Sequence, residues 1–163
     1  MLTLVKYPES ILRAKAEPVQ QMDKEIDDLI HHMANVMYLD DGVGLAAPQV
    51  GISKRVIVLD IGDGLKSVLN PEIIEKSKEE ENIEEGCLSL PEIRVDVSRP
   101  FRIVVQGRNE NDKQIQVEAD GLLARVLQHE IDHLNGILII DFASSVSRSL
   151  LRPKLKKLEK ENK

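Results

Sequence analysis

The sequence predicts an α+β fold: antiparallel or mixed β-sheets around a central helix that carries candidate metal ligands, with one helix before the sheets and another at the C-terminus. Two observations carry that prediction. Three stretches repeat apolar residues at intervals of three and four, as helices with one buried face do. Between the first two lie short β-type segments, several too short or too polar on one side for a parallel core, and no helix-length connections join them. With 163 residues and a single cysteine, the chain is long enough to bury its own core and needs no disulfide staple.

From Asp23, the apolar positions Ile26, Leu29, Ile30, Met33, Val36 and Met37 predict an amphipathic helix ending near Leu39, with Asp23 as its N-cap. Residues 40–51, rich in glycine and small side chains, read as irregular backbone. The β-type segments follow at 55–60, 67–70, 94–97, 102–106 and 115–118, and the charged run 78–85 reads as a solvated bend. Asp120 is placed to cap a second helix through Leu122, Leu123, Val126, Leu127, Ile131 and Leu134, which Asn135 and Gly136 would stop. Residues 137–141 read as a buried strand. Ser147 then opens a last helix with Leu150, Leu151, Leu155 and Leu158 along one stripe and Pro153 early enough to be tolerated. Residues 1–146 are expected to form one domain, and 147–163 its basic C-terminal helix.

Charge is unevenly distributed. The chain carries 22 Lys and Arg against 28 Asp and Glu, a net charge of -6. Residues 146–163 hold seven bases (Arg148, Arg152, Lys154, Lys156, Lys157, Lys160, Lys163) and two acids, a local +5 that leaves -11 for residues 1–145. So acidic a body argues against a DNA partner, because neutralising phosphates needs clustered Lys and Arg. The longest aliphatic runs fall far short of the roughly 20 residues that cross a bilayer, so no membrane association is expected. Residues 1–8 lack the pattern of a signal peptide, which together with the cysteine usage points to the cytoplasm.

The chemistry is concentrated at His129, Glu130 and His133, an H-E-x-x-H motif inside the second predicted helix. Residues four apart share a helix face, so both imidazoles can reach one metal ion, and Glu130 is placed to take a proton from water on that ion. A catalytic site of this kind wants a third protein ligand and an open position. No histidine follows His133. Asp141 could supply a carboxylate, whereas Glu159 and Glu161 lie in the basic tail and suit the role poorly. Upstream, Cys87 offers the only thiol, beside Gly86, whose missing side chain allows close backbone approach. Coupled to the two histidines, Cys87 is the favoured third ligand.

Three segments then resemble a known family, the peptide deformylases: Gly42-Val43-Gly44-Leu45-Ala46-Ala47-Pro48-Gln49, Glu85-Gly86-Cys87-Leu88-Ser89, and Gln128-His129-Glu130-Ile131-Asp132-His133-Leu134-Asn135-Gly136. The likeness runs from Tyr7-Pro8 and Ile11-Leu12 through the segment after the second helix and weakens in the tail. It implies a metal-dependent amidohydrolase that removes the formyl group from the N-terminal formylmethionine of new polypeptides and releases formate. It implies Cys87, His129 and His133 as ligands of one divalent ion, Fe(II) in the cell, replaceable by Zn(II), Ni(II) or Co(II). The same resemblance gives metal-bound water as nucleophile, Glu130 as general base and then acid, and the Gln49 amide and Leu88 backbone N–H as donors to the developing oxyanion. By family position Val43, Ile83, Leu122 and Val126 line the methionine pocket. Backbone of Val43, Gly44 and Gly86 pairs with an extended substrate, and Glu85 and Arg94 stand at the rim. Arg99 and Asp132 are expected to pair behind the metal helix. The resemblance further implies a monomer of the bacterial cytoplasm, acting on nascent formylmethionyl peptides, with the basic C-terminal tail docking on the ribosome.

Overall fold

The computed structural model describes residues 2–162. Helix α1 (Lys24–Leu39) begins where the Asp23 carboxylate accepts the Ile26 N–H at 3.0 Å, and buries Ile26, Leu29, Ile30, Met33, Ala34 and Met37. Seven strands follow: β1 (Gly44–Ala46), β2 (Val56–Leu59), β3 (Lys66–Lys76), β4 (Glu80–Cys87), β5 (Leu90–Pro100), β6 (Arg102–Arg108) and β7 (Gln114–Asp120). Helix α2 (Gly121–Leu134) and helix α3 (Ser145–Glu161) complete the chain, with 3-10 turns at Ser10–Arg13, Ala47–Val50 and Ile139–Phe142. The fold is α+β. Five strands make an antiparallel sheet in the order β1-β2-β3-β6-β7, and β4 and β5 make a separate antiparallel hairpin.

Strand β2 shows why the sheet sits where it does. Its four residues are all buried, and successive side chains of a strand point to opposite faces. Ile57 and Leu59 join the core under α2, with Val68, Ile103, Val105, Leu127 and Leu134. Val56 and Val58 join the core under α1, with Met33, Met37 and Leu45. Helices on both faces account for an uninterrupted apolar run where a half-exposed strand would alternate. A third cluster packs the β4–β5 hairpin, through Leu90, Ile93, Val95 and Val97, onto Leu12, Leu138, Ile139, Ile140 and Leu158.

Several expectations need correction. The charged run 78–85 is largely strand: β4 spans Glu80–Cys87 and pairs with β5 from Glu80↔Pro100 to Cys87↔Leu90. Its first five residues are exposed, so its acids lie along a solvated strand. Residues 137–141 form no strand; a 3-10 turn covers Ile139–Phe142, where the Asp141 carboxylate accepts the Leu138 N–H at 3.0 Å. The last helix opens at Ser144, whose hydroxyl accepts the Ser147 N–H, so Ser147 is already inside the first turn. Pro153 lies within α3, on its exposed side. Asp120 precedes α2 in extended conformation but makes no side-chain cap. The stretch 40–51, read as irregular, contains β1 and the 3-10 turn Ala47–Val50. Among the described residues no helix is long and apolar enough to cross a membrane.

Candidate metal centre

Helix α2 presents two faces. Ala124, Leu127, Ile131 and Leu134 pack on the sheet, which turns His129, Glu130 and His133 toward the β4–β5 hairpin and β1. At the end of β4 the pairing register slips between Gly86 and Cys87, a bulge that redirects the side chain that follows. The Cys87 Sγ lies 3.3 Å from His133 Nε2, and the two Nε2 atoms of His129 and His133 are 3.3 Å apart. All three atoms fall within 4.8 Å of one another, the one such cluster of three among the described residues. Of the alternative carboxylates, Asp141 is paired with Arg13 at 2.7 Å and Glu159 accepts the Tyr7 hydroxyl; neither joins the cluster.

The geometry behind His129 fixes its chemistry, whereas the buried His133 Nδ1 finds no partner. An ionised Glu85 can only accept, so His129 donates from Nδ1 to Glu85 Oε1 at 2.8 Å and keeps its Nε2 lone pair for the cluster. Glu85 is expected at the rim, yet its carboxylate is buried, 7% exposed, where two guanidinium groups and the His129 ring N–H converge on it. Arg99 donates twice, at 2.6 and 3.0 Å, and Arg125 once, at 2.6 Å. Burial alone would raise the Glu85 pKa, but hydrogen bonds from His129 and Arg99 override it and hold the carboxyl at about 2. Arg99 also reaches Asp132 Oδ2 at 2.8 Å and stacks under Phe142 at 5.0 Å. The histidines are driven apart. Burial lowers His133 well below its ordinary value, whereas for His129 the neighbouring Cys87 sulfur and Glu85 carboxylate outweigh burial and raise it.

A soft thiolate and two imidazole nitrogens suit Zn(II), Fe(II) or Ni(II). Separations of 3.3 Å fit atoms sharing one ion at about 2.0–2.3 Å. Three donor atoms of these types converging at such separations can share one cation, so the residues present fit a metal ion.

Glu130 is the other buried carboxyl, 5% exposed, and its Oε1 finds no hydrogen-bond partner. Burial pushes its pKa up to about 7, against the charges of His129 and Arg99. It lies so close to β1 that a Cβ on Gly44 would meet Glu130 Oε2 at 2.6 Å and Val126 at 2.9 Å. Glycine is what lets the strand pass. Gln49 is oriented by its own amide: Oε1 accepts the Ala46 N–H at 2.9 Å, and Nε2 donates to Ser89 Oγ at 3.1 Å, with Cys87 Sγ at 3.8 Å.

A cavity of about 550 Å³ opens over these groups. Its wall includes Val43, Gly44, Ile83, Glu85, Gly86, Leu88, Leu122 and Val126; Gln49, Cys87, His129 and Glu130 face it; and Arg94 stands with Asp40, Asp41 and Glu92 around it. His133 lies behind. Sequence reasoning missed two participants. Ser89 holds Gln49 and donates to the Val5 carbonyl at 2.7 Å. Arg125 reaches Glu85 from four positions before His129, and its only sequence signal is a cation inside an otherwise apolar helical stretch.

Residues 1–149 match the family model described as polypeptide deformylase. The peptide deformylase of Thermotoga maritima is 50% identical over 149 residues, covering 91% of each chain. That of Carboxydothermus hydrogenoformans is 48% identical over 145 residues, 89% of this chain and 95% of the relative. Among solved structures, a Plasmodium falciparum peptide deformylase in complex with an inhibitor superposes with a TM-score of 0.91 at 39% identity, covering 97% of this chain and 99% of the other. The Thermotoga maritima crystal structure gives 0.86 at 49% identity, covering 88% and 98%.

Proposed function

Because the chain belongs to the peptide deformylase family of metal-dependent hydrolases, we propose that it hydrolyses the formyl group from the N-terminal formylmethionine of new polypeptides, releasing formate. The observation that carries this reading is the convergence of Cys87, His129 and His133 beside Glu130, whose Oε1 has no partner, at a cavity lined by Cys87, His129 and Glu130. A divalent ion held by those three residues supplies Lewis acidity, lowering the pKa of water and polarising the formyl carbonyl.

The chain's own groups do the rest. Glu130, with a pKa near 7, takes a proton from the attacking water and returns it to the leaving amine, a two-way role that suits a base poised near the working pH. Gln49 is anchored through Oε1, so its amide N–H₂ is presented toward Cys87 and Ser89, where it and the Leu88 backbone N–H stabilise charge on the formyl oxygen. Val43, Ile83, Leu122 and Val126 give the methionine side chain an apolar wall. Strand β1 is the outer strand of its sheet and β4 has an unpaired edge, and the cavity lies between them. A peptide can add there as an extra strand through Val43, Gly44 and Gly86 backbone, a contact indifferent to side-chain identity. Arg94 at the rim meets the chain beyond its first residue.

Iron is the ion proposed for the cell, with Zn(II), Ni(II) and Co(II) as substitutes the same donors accept. On α3, Arg152, Lys156, Lys157 and Lys160 are exposed and none is in an ion pair among the described residues. We propose that they dock the enzyme on ribosomal phosphates, an attraction that falls steeply with salt. The deciding experiment is formate release from a formyl-methionyl dipeptide by anaerobically purified, metal-loaded protein. Glu130→Gln is expected to retain metal and lose about 100- to 10,000-fold in rate; no release by the loaded wild type would overturn the reading.

A further inference from the structure

One buried cation beside the site plays no part in the chemistry above. Arg125 lies one helical turn before His129 on α2 and is 8% exposed. Its NH1 donates to Glu85 Oε2 at 2.6 Å and to the Val97 carbonyl at 2.9 Å, while NH2 donates to the Glu81 carbonyl. Glu81 and Glu85 lie on β4, Val97 on β5. A single side chain of the metal helix therefore grips both strands of the hairpin that ends in Cys87.

That matters because the candidate ligands are divided between two elements, the imidazoles on α2 and the thiol on the hairpin. Their spacing survives only if helix and hairpin are locked to each other. Arg99 makes the reverse tie, from β5 to Asp132 on α2. Both guanidinium groups meet at the Glu85 carboxylate, which receives the His129 Nδ1–H. A residue that merely packed at position 125 would leave two carbonyls and Glu85 Oε2 short of a donor. A planar guanidinium can serve all three, whereas a lysine ammonium is a point charge on a flexible stem.

Resting on the reading that Cys87, His129 and His133 hold a divalent ion, we infer that Arg125 is a positioning residue of the metal centre: it locks the hairpin to the helix and holds Glu85 in place, so that His129 keeps Nε2 aimed at the ion.

The test is metal affinity. Co(II) and Zn(II) binding are measured by competition with a chromophoric chelator for wild type, Arg125→Met, Arg125→Lys and a surface control, Arg108→Met, whose arginine pairs with Asp112. Arg125→Met keeps the stem and is expected to weaken binding about tenfold or more, as loss of the groups that orient a ligand does. Arg125→Lys is expected to fall between it and wild type, and carries the test should the methionine variant not fold. The control should bind as wild type does. Because the effect runs through Glu85, Arg125→Met is expected to cost less in a Glu85→Gln background than in the wild type. A purely structural role would lower the melting temperatures of apo and metal-loaded protein together and leave affinity unchanged; the proposal expects the metal-induced rise to shrink. Wild-type affinity in folded Arg125→Met and Arg125→Lys, or full additivity with Glu85→Gln, would overturn it. A wild type whose Co(II) spectrum shows no thiolate ligation would instead overturn the metal-site reading beneath it.

Discussion

Gly44→Ala isolates the part played by close packing at the Glu130 carboxyl, the proposed general base. The added Cβ would stand 2.6 Å from Glu130 Oε2, 3.0 Å from Glu130 Cγ and 2.9 Å from Val126 Cγ1. Ordinary contact begins near 3.4 Å, so the carboxylate or β1 must yield by about 0.8 Å, and a misplacement of that order costs roughly 100-fold in rate. That corresponds to about 2.7 kcal/mol of lost transition-state stabilisation. Because Glu130 is not among the three clustered ligands, metal content should stay at one ion per chain. Overpacking should cost about 1–3 kcal/mol of stability, or a melting temperature lower by about 2–4 °C for each kcal/mol at this chain length. Formate release from a formyl-methionyl dipeptide then separates two causes. A displaced base lowers kcat, whereas a merely narrowed pocket raises KM. A folded, metallated Gly44→Ala enzyme with kcat within about twofold of wild type would refute the claim that this contact sets the position of Glu130.

Two further outcomes follow from charges away from the cavity. Asp141 holds the Leu138 N–H and Arg13, and although burial opposes it, those partners lower its pKa below the ordinary value of an aspartate. Asp141→Ala is expected to destabilise by about 1–2 kcal/mol near neutral pH, as cap losses do. Since the folded-state pKa is depressed, that difference should be full above the unfolded value and vanish as pH falls through the folded one, which paired denaturation curves would show. Reversing Lys156, Lys157 and Lys160 to Glu should abolish salt-sensitive co-sedimentation with ribosomes while formate release from a dipeptide is unchanged; unaltered co-sedimentation would remove α3 from that role.

What could be read in the sequence was what is decided locally. His129 and His133 fall on one face because helix geometry puts residues four apart together, and the Asp23 cap and the stripe from Ile26 to Met37 are likewise short-range. Cys87 stood as the third ligand only when coupled to that helix, since nothing near it in the chain says where its sulfur goes. Residues 137–141 misled for a related reason: a short apolar run looks alike as buried strand or buried turn, and what decides it is Asp141 capping Leu138. The acids of β4 suggested a bend, although a strand with an exposed face tolerates them once β5 supplies its partner. Least legible was the Glu85 network. Arg99 is 14 residues away and Arg125 is 40, and only the packing of the hairpin on α2 brings them to one carboxylate.

The two free strand edges beside the cavity have a cost as well as a use. An unpaired edge that welcomes a substrate backbone would equally welcome the edge of another molecule, and open edges are where proteins begin to aggregate. Here the exposure is limited in two ways. Strand β1 is only three residues long and follows Asp40 and Asp41, too little for a stable intermolecular ladder. Strand β4 is longer but carries Glu80, Glu81 and Glu84 in exposed positions, so two copies meeting edge to edge would set like charges against each other. The acidity along β4 thus opposes edge-to-edge pairing of two copies, and the proposed addition of a single extended chain end would not meet that repulsion.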